Sequence, residues 1–174
     1  KEYSVNLGII SKHYSSGSIY LEETGYCRLE NERAVAICDV AMVGPDYIPG
    51  HAHADTLSFE LWIDREKVFC NSGVSEYGCS PKRLRQRGTL SHNTVEVCHT
   101  DSSEVWSGFR VAKRAKPFDV IFCEASKTLS AKHDGYLSLG VIHQRDWEMS
   151  DASLLVTDKL TSDSPKDFVA SYYL

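Results

Sequence analysis

The chain has 174 residues with an ordinary apolar content, enough for one domain that buries roughly 70% of the surface its unfolded form exposes. A net charge of −5 excludes nucleic acid as the main partner, and no apolar run reaches the ~18 residues of a membrane span. The opening residues, Lys1-Glu2-Tyr3-Ser4-Val5, form no hydrophobic signal region, so the expectation is an intracellular protein or a piece of a longer chain whose signal lies elsewhere.

In chain order, strand signals dominate. Residues 26–30 and 34–40 flank Asn31-Glu32-Arg33, a hairpin pattern. The bend Pro49-Gly50 precedes His51-Ala52-His53-Ala54-Asp55, and a strongly alternating run over 56–63 follows at once. Leu57, Phe59, Leu61 and Ile63 fall on one side of that run, with Ser58, Glu60 and Trp62 on the other. Such period-two alternation lays one face on a core. Asp64-Arg65-Glu66 turns the chain and 67–70 returns. Further strands are expected over 94–98, 109–114, 118–125, 140–148, 153–158 and 168–174.

One short helix is expected over 80–86, with Ser80 as N-cap and Pro81 at the first helical position. Many short strands separated by Gly, Asp, Asn and Ser turns predict an all-β fold, an antiparallel two-sheet β-sandwich, rather than an α/β one. The basic stretch Lys82-Arg83-Leu84-Arg85-Gln86-Arg87 reads as a solvated face or as a patch for an acidic ligand. Cys27, Cys38, Cys70, Cys79, Cys98 and Cys123 contain no C-x-x-C pair. They are read as mostly reduced, behaving as small hydrophobes in strands. The chain stops inside the apolar run 168–174, which predicts a truncated piece of a longer protein.

Two imidazoles and a carboxylate within five residues (His51, His53, Asp55) offer both the ligands of zinc-like cations and proton-transfer groups. A metallohydrolase of the H-x-H-x-D-H type is disfavoured, because Thr56 stands where the last histidine belongs and a strand follows instead of a helix. Hairpin geometry sets a condition on any metal site here. With the turn near Arg65, Asn71 lies opposite Glu60 or Leu61, and His53 would be about 20 Å away along a straight strand. Coordination therefore requires residues 50–55 to fold back as a loop.

Three segments in order resemble the carboxy-terminal β-domain of the heparinase II/III-like polysaccharide lyases, which also include alginate lyases. They are Gly50-His51-Ala52-His53-Ala54-Asp55, then Phe69-Cys70-Asn71-Ser72-Gly73, then Arg87-Gly88-Thr89-Leu90-Ser91-His92-Asn93-Thr94. Ser103-Glu104-Val105-Trp106, His133-Asp134-Gly135-Tyr136 and His143-Gln144-Arg145 fit the same order. The resemblance implies a supersandwich-like β-domain paired with an N-terminal (α/α) toroid, here missing, across a cleft for an acidic polysaccharide. It implies β-elimination on uronates, in which a base removes the C5 proton while neutralisation of the carboxylate stabilises the enolate-like intermediate.

The resemblance further implies a Zn(2+) site at His53, Asn71 and His92, with His51 facing substrate as the catalytic histidine of this domain. Asn71 departs from the family's aspartate: an amide oxygen can coordinate but brings no charge. The tyrosine that some alginate lyases place near 82–90 is also missing, so the isolated domain is expected to be inactive. Asp55 is read as an outer acceptor or loop cap rather than a ligand. Arg87 either pairs with a substrate carboxylate or forms a structural salt bridge. Tyr77 and Tyr136 are read as packing residues with bonded hydroxyls, and Trp106 as a core anchor rather than a sugar platform. The competing expectation is a non-catalytic acidic-glycan-binding or structural domain whose metal site has decayed.

Overall fold

The computed structural model describes residues 16–174; the reading of Lys1–Val5 lies outside them. Strands β1 (Ile19–Leu21), β2 (Tyr26–Glu30), β3 (Ala34–Asp39), β4 (Phe59–Ile63) and β5 (Glu66–Phe69) form one antiparallel sheet in sequence order. The short helix α1 (Pro81–Arg87) and strands β6 (Val95–Val97), β7 (Val105–Trp106) and β8 (Arg110–Val111) follow. The second sheet is built from β9 (Pro117–Cys123), β10 (Thr128–His133), β11 (Val141–Met149) and β12 (Leu154–Ser162), in the order β12-β11-β10-β9. Strand β13 (Phe168–Ala170) returns to pair with β6. No helix among the described residues is long and apolar enough to cross a membrane.

The two large sheets meet face to face, as the period-two pattern requires. Cys27, Leu29, Ala36, Cys38, Phe59 and Leu61 from the first sheet pack against Leu129, Ala131, Trp147 and Met149 from the second. Aligned antiparallel sheets sharing such a core make a β-sandwich. The two hairpins that turn chemistry predicted, β2–β3 and β4–β5, close where expected. Asn31 accepts the N–H groups of Arg33 and Ala34 with its side-chain oxygen, an Asx turn. Asp64 and Arg65 both adopt positive φ, the geometry of a tight β4–β5 hairpin.

Helix α1 starts as its sequence demands, with Ser80 Oγ accepting the Arg83 N–H at 3.0 Å and Pro81 in the first turn. Its inner face inverts the hydropathy reading. Arg83 and Arg87, four apart and therefore on one side, are buried, whereas Leu84 is 38% exposed. The run 56–63 becomes a strand only at Phe59, because Leu57 takes φ 62° and breaks the extended backbone. Strand β10 escaped the sequence reading because Thr128-Leu129-Ser130-Ala131-Lys132-His133 has weak apolar content, yet Leu129, Ala131 and His133 all face inward.

Candidate metal centre and its surroundings

After Pro49 the chain turns tightly, the Ala52 N–H donating to the Pro49 carbonyl at 3.0 Å. Helix α1 and the turn that follows it grip this loop through backbone atoms. Ala54 N–H donates to the Arg87 carbonyl at 2.8 Å, and Thr89 Oγ1 donates to the Ala54 carbonyl at 2.9 Å. Arg87 is fully buried, and its guanidinium donates to the carbonyls of Ala52, Ser107 and Arg110. It thus clamps the 50–55 loop to the β7–β8 hairpin, tied by carbonyls rather than by a salt bridge. Held on both sides, His53 projects towards His92.

The Ser91-His92-Asn93-Thr94 segment is anchored residue by residue. Ser91 Oγ donates to the Arg85 carbonyl at 2.6 Å and Thr94 Oγ1 to the Thr56 carbonyl at 3.1 Å. Asn93 uses its whole amide: Nδ2 donates to the Phe59 and Cys70 carbonyls, and Oδ1 accepts the Tyr173 N–H. Asn93 is thus a positioning group, and its only signal in the sequence is an amide beside a histidine. Arg145 completes the scaffold from β11, donating through Nη1 to the Leu57 and Asn93 carbonyls. Asp158 on β12 holds that guanidinium by two bonds of 2.7 and 2.8 Å.

These anchors bring His53, Asp55 and His92 together, with one potential ligand atom from each lying within 4.8 Å of the others. The two rings stand 5.1 Å apart. His92 is fully buried, and neither of its ring nitrogens has a hydrogen-bond partner. Burial pushes its pKa down to about 4; the nearby Gln86 carbonyl pulls the other way but lies outside hydrogen-bond geometry. His53 is also held well below the usual histidine range, first by burial, then by His92, with Asp55 opposing and Arg83 and Arg87 reinforcing the shift. Both imidazoles are therefore neutral, the form that coordinates metal.

Burial raises Asp55, with His53 partly offsetting it. Burial and then Asp55 raise Asp39 as well. Neither carboxylate has an ion-pair partner among the described residues. Two neutral imidazoles with a buried, unpaired nitrogen pair, beside carboxylates short of positive charge, fit a divalent cation. Such a cation would satisfy both needs.

Asn71 sits at the end of the β5 return, its N–H donating to Glu60 Oε1 at 3.0 Å, opposite the residue that the hairpin argument named. Its Oδ1 accepts the Gly73 N–H, and the residue lines a cleft of about 210 Å³ together with Asp55, Asp39 and Tyr26. An adjoining cleft of about 360 Å³ is walled by Tyr26, Asp39, His51, His53 and Asp55. His51 is exposed there, its ring edge-on to Tyr77 and Phe109 at 5.8 and 6.2 Å. A larger concavity of about 900 Å³ lies on the outer face of the first sheet around Trp62. Its Arg33 and Asp64 are paired with each other, and it holds no histidine cluster.

Several side chains differ from their expected roles. Trp106 is 54% exposed, so it is no core anchor; Tyr77, expected as a packing residue, stacks on Phe109 but is 67% exposed. Both stand in loop-rich segments, where alternation no longer reports burial. Tyr136 does behave as expected, buried with its hydroxyl donating to the Val95 carbonyl at 2.6 Å.

A two-sheet sandwich carrying a partly buried group of two histidines and one carboxylate, with His92 fully enclosed, defines a β-module with a candidate metal centre. The chain belongs to the heparinase II/III-like family: the family model "Heparinase II/III-like, C-terminal" matches residues 15–174. Among solved structures, a heparan sulfate lyase of Pedobacter heparinus superposes with a TM-score of 0.68 at 18% identity, covering 96% of this chain and 25% of that one. A heparinase III gene product gives 0.71 at 17% identity, covering 96% and 25%. The chain thus spans about a quarter of the length of these proteins. No curated protein matches it in sequence.

Proposed function

We propose that this domain is the metal-bearing β-sandwich half of a polysaccharide lyase acting on uronate-containing chains by β-elimination. The observation that carries the reading is the buried, partnerless His92 beside His53 and Asp55 in a chain of the heparinase II/III-like family. In this reading Zn(2+) is held by His53 and His92, with Asp55 supplying the charge that Asn71 lacks. Asn71 adds an amide oxygen, whose second lone pair is free even while it caps Gly73. The ion, when bound, supplies a fixed positive charge that steadies this wall of the cleft.

The reaction removes the C5 proton of a uronate, forms the C4–C5 double bond and breaks the C4–oxygen bond, the leaving oxygen taking a proton. His51, exposed in the cleft wall, faces the sugar and takes part in proton transfer. The remaining proton chemistry belongs to an N-terminal helical toroid of the same protein, which closes the other side of the cleft. A non-catalytic glycan-binding role is the second reading, favoured by Asn71 standing where the family's ligand is an aspartate.

Metal analysis of the purified protein tests the site: about one zinc per chain is expected, lost in His53→Ala and in His92→Ala. Incubating the full-length protein with uronate polymers should raise ultraviolet absorbance as the conjugated double bond forms. Absence of any rise with every uronate polymer, in protein that binds zinc, would leave the glycan-binding reading in its place.

A further inference from the structure

Beside His51 lies a group of side chains that the metal centre does not use. Tyr77 and Phe109 have parallel rings, 3° apart with centroids at 6.3 Å, and both are exposed, Tyr77 by 67% and Phe109 by 44%. Large aromatic faces left open beside a cleft are costly unless something covers them. Their placement is built in. A Cβ on Gly108 would lie 2.3 Å from the Gly78 carbonyl oxygen, so only glycine lets the Tyr77 loop seat against the segment that presents Phe109.

Behind the rings sits Arg83, with its guanidinium carbon 5.3 Å from the Tyr77 centroid and 5.9 Å from that of Phe109. Arg83 is 1% exposed, yet its Nη2 has no partner, and no carboxylate among the described residues pairs with it. Its Nε donates to the Gly108 carbonyl at 3.2 Å, and Nη1 makes only a long 3.5 Å approach to His53 Nε2. A buried guanidinium without a counter-ion is a standing electrostatic demand. The helix fold makes the point sharper, since Arg83 takes an inward position where Leu84 one residue on stays exposed.

We propose that Tyr77 and Phe109, backed by Arg83, form a subsite for an anionic sugar residue next to His51. The physical basis is the sign of the ring face. A bare aromatic face is negative and repels a carboxylate or sulfate. A guanidinium behind the rings cancels that potential and supplies the missing attraction, while the flat faces still stack on the sugar ring. The subsite gathers what an acidic glycan needs and a neutral one does not: stacking surface with unpaired positive charge beneath it. This assigns the charge-neutralising role to Arg83, whose Nη2 is free, instead of Arg87, whose N–H groups are spent on carbonyls. The subsite deepens the lyase reading by naming how its substrate class is recognised, and it rests on that reading only for the reaction.

The test is calorimetric titration of the full-length protein with three oligosaccharides: an unsulfated hyaluronan fragment, a sulfated dextran and a neutral dextran. The first two separate carboxylate from sulfate as the recognised anion. At least one anionic fragment should bind, more weakly as salt rises, while neutral dextran does not. Tyr77→Ala and Arg83→Gln should each weaken that binding about tenfold, whereas Tyr77→Phe and Arg83→Lys should keep most of it. Equal binding of neutral dextran, or unchanged affinity in Tyr77→Ala, overturns the subsite even if Arg83→Gln fails to fold. Displacement of the sugar by polyglutamate with no loss in Tyr77→Ala would mean that Arg83 awaits an acidic peptide, and also overturns it. Failure of the lyase reading looks different: no unsaturated product from the wild-type protein, with oligosaccharide binding still lost in Tyr77→Ala.

Discussion

Among the described residues two histidine pairs have nearly identical spacing, and the contrast between them separates structure from function. His53 and His92 stand 5.1 Å apart in the loops at one end of the sandwich; His133 and His143 stand 5.0 Å apart on β10 and β11. Burial heads the causes that lower all four pKa values. The hydrogen bonds differ completely. His133 Nδ1 accepts the Gly135 N–H, its Nε2–H donates to His143 Nδ1 at 3.0 Å, and His143 Nε2–H donates to Asp158 at 2.7 Å. That chain fixes both tautomers and leaves no nitrogen over, while His92 has both nitrogens orphaned. Burial makes an imidazole neutral; only an unmet lone pair makes it a site.

The closed pair also serves the open one. Asp158 anchors Arg145, and Arg145 ties Leu57 to Asn93, the residues flanking Asp55 and His92 by two and one positions. Burial alone would raise Asp158, but hydrogen bonds from His143 and Arg145, with the Arg145 charge, hold it well below the usual carboxylate range.

The sharpest way to break the comparison is to replace one member of each pair by leucine in metal-free protein. His143→Leu strands the His133 N–H and removes a bond from Asp158, and should cost about 3 kcal/mol in urea unfolding. His92→Leu removes groups that bond to nothing and should cost under about 1 kcal/mol, while abolishing any rise in melting temperature on adding zinc. Equal costs for the two substitutions would erase the distinction.

Acid sensitivity comes next. With folded pKa values depressed, His133 and His143 stay neutral while the unfolded chain takes up protons below about pH 6.5. Their contribution is complete above that pH and is lost as pH falls, at up to ~1.4 kcal/mol per pH unit for each histidine. His133→Gln should therefore flatten the fall of urea midpoints between about pH 6 and 5; an unaltered slope would mean that the pair takes up protons within the fold. The smallest effect is expected for Asn71→Asp. The restored carboxylate should tighten zinc about tenfold or less in competition with a chelating dye, and no change would assign the oxygen ligand to Asp55 alone.

Alternation and turn chemistry made the sandwich legible in the sequence, because strand period and hairpin residues are local properties. The runs 26–30, 34–40 and 140–148, the turns at Asn31 and Asp64, and the Ser80-Pro81 helix start all stand close to where they were read. Strand β10 was not legible, since its inward residues, Leu129, Ala131 and His133, are too mixed to signal a core. The two histidines His53 and His92 were legible as a pair only through the ordered family motifs. That an Asp55 oxygen lies within 4.8 Å of their ligand atoms was not, because it depends on a distant segment, Arg87 and Thr89, holding Ala54 on both sides.

The all-β class, the β2–β3 and β4–β5 hairpins, the short helix and the family follow from short-range periodicity and motif order. Which imidazole nitrogens are satisfied, which arginines are buried without a counter-ion and which aromatic faces stay open emerges only once the chain is folded. Those properties are set by contacts between segments tens of residues apart: Arg145 with Leu57, Arg87 with Ala52, Gly108 with Gly78. Local pattern carries no record of such distant pairings, and they are what turn a stable sandwich into a candidate site.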